Sequence, residues 1–269
     1  MSLIASTDPD RAWEEYGQDD PYFGVITDPK FLKSNLNDEA IEEFFQSGET
    51  HVEHVCATLR SKVKPSLKLD RVLDYGCGVG RLAVPFSQRC QGVVGVDVSQ
   101  AMLAHAQENC ERRSIKNAEF IQAAELSSLS PASFDLVHSY IVFQHIPVAR
   151  GEQILGNLIA LLAEGGVGAI HFTYAFDWPR LSRVFYEIRT RSGVAQSIFN
   201  VLKGNRFSSP PMQMNIYSIN RILDILYSAG CSNMHLEFCS HFGWRGVMVY
   251  FEKISVAPSV NPCMFVPNE

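Results

Sequence analysis

Residues 72–82 read VLDYGCGVGRL, an apolar run that breaks into three alternating glycines before a second apolar stretch. Val72-Leu73-Asp74-Tyr75 has strand character, and the stretch from Arg81 has the apolar spacing of a helix. Between them Gly76, Gly78 and Gly80 permit a tight turn and a close backbone approach that a Cβ would obstruct. In a doubly wound sheet the ligand crevice lies outside the C-terminal ends of the strands. The turn therefore predicts a ligand site. Asp97, at the end of the next run VVGVD, falls where a carboxylate meets a ribose diol in such folds.

From Arg71 onward this alternation continues. Short runs of strand character (RVLDY, VVGVD, AEFIQ, FDLVHSY, VGAIHFT) exchange with helical ones (RLAVPFSQRC, SQAMLAHAQENC, ILGNLIALLA), which implies a parallel sheet with helices on both faces. Ser99 stands ahead of the apolar stripe Met102, Leu103 and Ala106, as an N-cap does. SINRILDILYSAG reads as a helix closed by Gly230, and the link between MHLEFC and GVMVYFEK is short enough for an antiparallel edge pair. Residues 1–69 read as a mostly helical N-terminal arm or lid and 70–174 as the α/β core. A helical cap insertion at 175–215, a closing helix and hairpin at 216–255 and a tail at 256–269 complete the chain.

Composition narrows the function classes. The 269 residues have the make-up of an ordinary globular protein. A net charge of −6 gives no general attraction to phosphate backbones, so nucleic acid is not an expected partner. Seven cysteines occur without CxxC pairs or paired His/Cys clusters, which argues for reduced thiols in the cytoplasm. No metal ligands are predicted, and His51 and His54 in HVEH read as packing or surface. The N-terminus lacks a basic region followed by an apolar core, and no apolar run approaches bilayer length, so no membrane partner is expected.

Three ligand chemistries compete for the turn. A dinucleotide enzyme uses GxGxxG, whereas here Arg81 takes the third glycine's place, which speaks against an NAD-dependent oxidoreductase. A P-loop is excluded because no GK[ST] follows. A purely structural turn accounts for one glycine but hardly for three with acids closing both strands. The motif resembles that of the class I S-adenosylmethionine-dependent methyltransferases, through VLDYGCGVGRL, then VVGVDVS, SFDLVHSYIVFQHI and LLAEGGVGAIHF. The likeness covers residues 70–173 well and the last helix and hairpin more loosely.

That resemblance implies a Rossmann-like methyltransferase fold. It is a doubly wound, mostly parallel seven-stranded sheet with the last strand antiparallel, here joined by a helical arm and cap. It implies S-adenosyl-L-methionine as cofactor, with Gly76, Gly78 and Gly80 beside its methionine part and Asp74 holding that loop and the amino group. Asp97 would accept from both ribose hydroxyls, and Val98 and Met102 would line the adenine. The family often places an acid after the third strand to read the adenine amino group. Here Ala123 and Ala124 precede Glu125, so either the turn shifts to bring Glu125 into that place or Glu125 is a solvated loop acid.

The expected reaction is in-line methyl transfer to an O- or N-nucleophile of a small molecule, in which positioning does much of the catalysis. A hydroxyl acceptor also needs a base. His145, Tyr140 and His171 stand at strand exits as candidates, although a histidine before Pro147's helix also caps or packs and His171 lies in an apolar run. Ser139 and Gln144 are expected to touch cofactor or acceptor. In the arm, Tyr16, Tyr22 and Phe23 either cover the cofactor, where aromatic faces meet a sulfonium, or anchor the arm. The cap carries Arg180, Arg183, Arg189, Arg191, Lys203 and Arg206 against Asp177 and Glu187, either a solvated basic face or a receptor for an anionic acceptor. Its aromatics, from Phe176 and Trp178 through Phe185, Tyr186, Phe199 and Phe207, read as the cap's own core. HSYIVF lacks the Asn/Asp-Pro-Pro-aromatic signature of amino-methylating DNA enzymes. A nucleoside-binding or assembly subunit without catalysis carries the same motifs.

Overall fold

The computed structural model describes residues 8–177, 192, 194–195, 197–198, 212–241 and 243–254. The cap's cations and most of its aromatics, like the tail 256–269, lie outside the described residues. Seven strands form one sheet: β1 (Arg71–Tyr75), β2 (Gly92–Asp97), β3 (Ala118–Gln122), β4 (Phe134–Ser139), β5 (Leu162–Phe176), β6 (Cys231–His241) and β7 (Trp244–Lys253). Their order is β3-β2-β1-β4-β5-β7-β6. β1 to β5 pair in parallel, and β7 runs antiparallel between β5 and β6. Connections reverse direction between β1 and β4, which sets the crevice at the C-terminal ends of those strands.

The α-helices bounded within the described residues are α1 (Pro9–Asp19), α2 (Pro21–Val25), α3 (Asp38–Thr58), α4 (Ala83–Ser87), α5 (Gln100–Arg112), α6 (Val148–Leu161) and α7 (Ile219–Ser228). Successive residues of β1 feed opposite cores, because strand side chains alternate between faces. Val72 packs with Val55, Leu59 and Phe86, whereas Leu73 packs with Leu155, Leu158 and Leu226. Local chemistry sets the helix ends. Asn37, Ser99 and Ser218 accept from the amides of Ala40, Met102 and Arg221, and Gly230 ends α7 at φ +78°.

In the arm, Asp38–Thr58 form one continuous helix, α3, that joins the stretches DEAIEEFF and THVEHVCAT. Gly48 within it marks the closest crossing, where a Cβ would collide with the Arg81 carbonyl. α6 ends at Leu161 and β5 begins at once, drawing the AEGG segment into the strand with an irregular register against β4. β5 also runs on to Phe176, so residues 175–176 belong to the sheet and not to the cap. No helix among the described residues is long and apolar enough to cross a membrane.

The arm is fastened to the core by polar contacts. Glu14 on α1 accepts from the Ser99 hydroxyl at 2.8 Å and the Ala101 amide at 3.2 Å, adding an acid to the N-terminus of α5. The Tyr22 hydroxyl donates to Asn109 at 2.8 Å, and Asn109 donates to the Val79 carbonyl at 3.0 Å, a buried chain from α2 to the glycine turn.

One chemical change should act in opposite directions at two sites. Gly48→Ala should lower the unfolding free energy by about 1–3 kcal/mol through overpacking on the Arg81 backbone. Gly156→Ala, exposed inside α6 with open space around it, should raise stability by about 0.5–1 kcal/mol. Equilibrium urea unfolding of both variants checks the signs.

Candidate active site

The turn after β1 is stitched to the end of β2. The amides of Gly76 and Cys77 donate to the Val96 carbonyl at 2.7 and 3.0 Å, and the Gly78 amide donates to Asp97 Oδ2 at 2.9 Å. Gly76, Gly78 and Gly80 adopt φ of +77°, +53° and +84°, the left-handed region that glycine enters at little cost. The other Asp97 oxygen accepts from the Ser99 amide at 3.0 Å. Burial pushes the Asp97 carboxyl up to about 6, against the pull of the Ser99 and Gly78 amides.

This turn forms one wall of a cavity of about 550 Å³, within the usual range of small-ligand sites. Asp74, Gly76, Gly78, Asp97, Val98 and Met102 line the end towards β1 and β2. Tyr140, Gln144 and His145 line it from the exit of β4, and His241 and Trp244 from the β6–β7 turn. The arm closes it with Asp10, Trp13 and the Gly24–Thr27 stretch.

Two buried polar atoms at the cavity have no partner among the described residues: Asp74 Oδ2 and Arg81 Nε. The other Asp74 oxygen meets His138 Nδ1 at 2.8 Å, and His138 Nε2 meets His51 Nε2 at 3.1 Å. At the opposite end a second chain runs through Gln144. Its carbonyl oxygen accepts from Thr173 at 2.7 Å and from His241 at 3.2 Å, while its amide donates to His145 Nε2 at 3.1 Å. His145 Nδ1 donates to the Gln213 carbonyl at 2.7 Å. Burial holds the His145 imidazole down to about 4, so it is neutral at physiological pH with both nitrogens engaged.

Several expected residues stand elsewhere. Gly80 packs on Ala106 and does not line the cavity. Ser139 is buried and donates to the Tyr75 carbonyl at 2.8 Å, tying β4 to β1. Ala124 and Glu125 are exposed on a short 3₁₀ turn, where Glu125 accepts from the Gln122 amide and does not line the cavity. His171 is fully buried with its Nε2 3.4 Å from Cys239 Sγ, outside the lining. Tyr16 and Tyr22 anchor the arm, and the aromatic ring it presents to the cavity is Trp13, 4.9 Å from the His145 ring. Arg81, read first as a missing glycine, is a buried cation at the wall. Met212, Met214, Trp244 and His241 carry no local signal beyond a Met-x-Met pattern and a histidine near a hairpin turn.

The sheet order and the position of the cavity define a Rossmann-like α/β fold with its crevice at the C-terminal ends of β1 and β4. Residues 72–166 match the family described as "Methyltransferase domain", the segment that carries the resemblance to the class I S-adenosylmethionine-dependent methyltransferases. It is 41% identical over 75 residues to 23S rRNA (uracil(1939)-C(5))-methyltransferase RlmD of Aeromonas hydrophila, covering 26% of this chain and 17% of that protein. It is 32% identical over 122 residues to a Saccharomyces cerevisiae protein named "Probable S-adenosylmethionine-dependent methyltransferase CRG1", covering 43% of this chain and 41% of that one. The chain thus spans under a fifth to about two fifths of these relatives. Magnesium protoporphyrin IX methyltransferase (ChlM) of Synechocystis PCC 6803, solved with bound SAM, shares the fold at TM-score 0.58 and 19% identity, covering 93% of this chain and 99% of that one.

The expectation that nucleic acid is excluded as a partner is overturned by the RNA methyltransferases among these relatives. Net charge averages over the whole chain, whereas the matched segments are a small fraction of proteins whose remaining length lies outside the match.

Asp97 should cost the fold stability at neutral pH. Its native carboxyl, at about 6, holds a proton more tightly than in the unfolded chain, so its stabilising contribution is full below the unfolded value and lost as pH rises through about 6. Between about pH 7.5 and pH 5 the stability of the unmodified chain relative to Asp97→Asn should rise by about 1 kcal/mol. Urea unfolding at both pH values checks it.

Proposed function

We propose that this chain transfers a methyl group from S-adenosylmethionine to an acceptor that enters the far end of the same cavity. The observation that carries the reading is the meeting, in one cavity, of a Cβ-free turn, the Asp97 carboxylate, and the unpartnered Asp74 and Arg81 atoms. These fit a zwitterionic nucleoside. In this reading the backbone at Gly76 and Gly78 approaches the methionine part, with Asp74 towards its amino group and Arg81 towards its carboxylate. Asp97 accepts from the ribose diol, and Val98 and Met102 cover the adenine.

When bound, the cofactor supplies an electrophilic methyl group on a sulfonium whose departure leaves a neutral thioether. The chain's residues align the acceptor and exclude water, which in favourable cases contributes roughly 7–11 kcal/mol. Burial raises the Tyr140 phenol above its ordinary range, so Tyr140 serves the acceptor as a hydrogen-bond donor. His145, neutral and bonded at both nitrogens, is a positioning residue that fixes Gln144 and the Gln213 backbone.

Trp13, Met212, Met214 and Trp244 make the acceptor end apolar and aromatic, which supports a small molecule with an apolar body. RNA remains an acceptor class raised by the relatives, and the assay carries both arms. Radiolabelled methyl transfer to a metabolite extract and to total RNA separates them, and label in neither leaves the binding subunit as the surviving reading.

Calorimetry with S-adenosylhomocysteine should give Asp97→Ala an affinity loss on the order of 100-fold, from two hydrogen bonds to a charged group. The ionised carboxylate is the binding form, so affinity should fall about tenfold between about pH 7.5 and pH 5 as Asp97 protonates near 6. No binding by the unmodified chain, or an Asp97→Ala variant of equal affinity, would overturn the reading.

A further inference from the structure

We propose that His171, Cys239 and His241 form a site for a divalent, thiolate-binding cation of the zinc type, opening onto the acceptor end of the cavity. Each residue offers one ligand atom, and the three atoms lie within 4.8 Å of one another. His171 Nε2 and Cys239 Sγ are 3.4 Å apart. Ligands held at about 2.0 Å through nitrogen and 2.3 Å through sulfur subtend about 3.5 Å at a tetrahedral ion, so this pair stands at ligating separation. The third atom needs to close by at most about 1.5 Å, within the reach of a side-chain rotation.

The surroundings point the same way. His171 is fully buried; its Nε2 stands 3.4 Å from the Cys239 thiol, and its Nδ1 has no hydrogen-bond partner among the described residues. Gly246 on β7 makes the recess in which the pair meets. A Cβ there would collide with His171 Nε2 and lie 3.0 Å from Cys239 Sγ. His241 gives one nitrogen to Gln144 at 3.2 Å, the type of outer hydrogen bond that fixes the tautomer of a ligating imidazole. Cys239 is exposed, which gives an ion a route in, and His241 lines the cavity. Two imidazoles and a thiol match the donors zinc takes with one position left open. His171 stands 68 residues before Cys239 and is brought to it by the β5–β7–β6 pairing, so no CxxC or HxxxH spacing announces the site.

An open position beside His241, which lines the cavity, would take water or an acceptor heteroatom. Only that last assignment rests on the methyltransferase reading; binding of the ion stands apart from it. The test is titration of the reduced, metal-stripped full chain with Co(II), followed by absorption, and with Zn(II), followed by competition with a chromophoric chelator. One equivalent of Co(II) should bind with a thiolate charge-transfer band and tetrahedral d–d intensity. Cys239→Ser should lose that band and weaken Zn(II) at least tenfold, His241→Gln should weaken Zn(II) while keeping the band, and Cys90→Ser should change neither. Zn(II) should raise the thermal midpoint of the unmodified chain and not that of Cys239→Ser. Less than half an equivalent of Co(II), or an unchanged spectrum in Cys239→Ser, overturns the site. S-adenosylhomocysteine calorimetry on Cys239→Ser, whose side chain is outside the cavity lining, should match the unmodified chain, so failure of the ion site and failure of the donor reading are distinguishable.

Discussion

Two backbone amides converge on the carbonyl of Val96, and a third meets the carboxylate that follows it. This stitch between the first turn and the end of β2 is the constraint on which the site depends. It requires left-handed backbone at three alternating positions, a conformation that costs most residues about 1–2 kcal/mol each and glycine little. It also orients Asp97, whose two oxygens are each held by a backbone amide, so the carboxylate is placed before any ligand arrives. The partial burial that raises its proton affinity is the cost of that placement. Sites of this kind trade stability of the empty protein for affinity in the loaded one.

The arm shares this constraint. Glu14 adds a second acid at the start of α5 beside the Ser99 cap, and the chain Tyr22–Asn109–Val79 ties α2 to the turn itself. A Cβ on Gly17 would fall 2.6 Å from the Ser99 hydroxyl, so α1 lies as close to α5 as a backbone allows. Trp13 and Asp10 reach the cavity because those contacts fix the helix that carries them. The Arg150–Asp10 pair, 2.8 Å apart with both side chains about half exposed, adds little energy, but it joins the arm to α6 across the rim.

Legibility in the sequence follows the range of the interactions. The glycine turn, the Ser99 cap and the Gly230 stop are decided by residues within a few positions, and each is readable from residue type. The parallel sheet and its antiparallel edge pair were legible from alternation and from the short link before β7. Trp13, Met212, His241 and Trp244 were not, because nothing local tells how far along its neighbours a segment comes to rest. The buried pair Asp74–His138 was hidden for another reason. Parallel strands covered on both faces lose the polar alternation that would reveal which side chains share a side. Glu125 shows the converse: left open between an adenine reader and a solvated loop acid, it is exposed and accepts from the amide of Gln122.

One strained residue shows how the cavity is shaped. Ile141 sits at φ +59°, a region β-branched side chains rarely enter, at a cost on the order of 1–3 kcal/mol. Both flanks hold it there. Ser139 is bonded to the Tyr75 carbonyl before it, and after it the amide of His145 donates to Val142 while Phe143 is fully buried in the core. Between these anchors the chain must reverse within Tyr140–Val142, and all three residues line the cavity. Val142 settles over Gly76, where a Cβ would collide with its methyl groups. The strain at 141 and the bare backbone at 76 are therefore two halves of one fit, since relaxing either would pull the exit of β4 away from the glycine turn and open the wall between the two ends of the cavity.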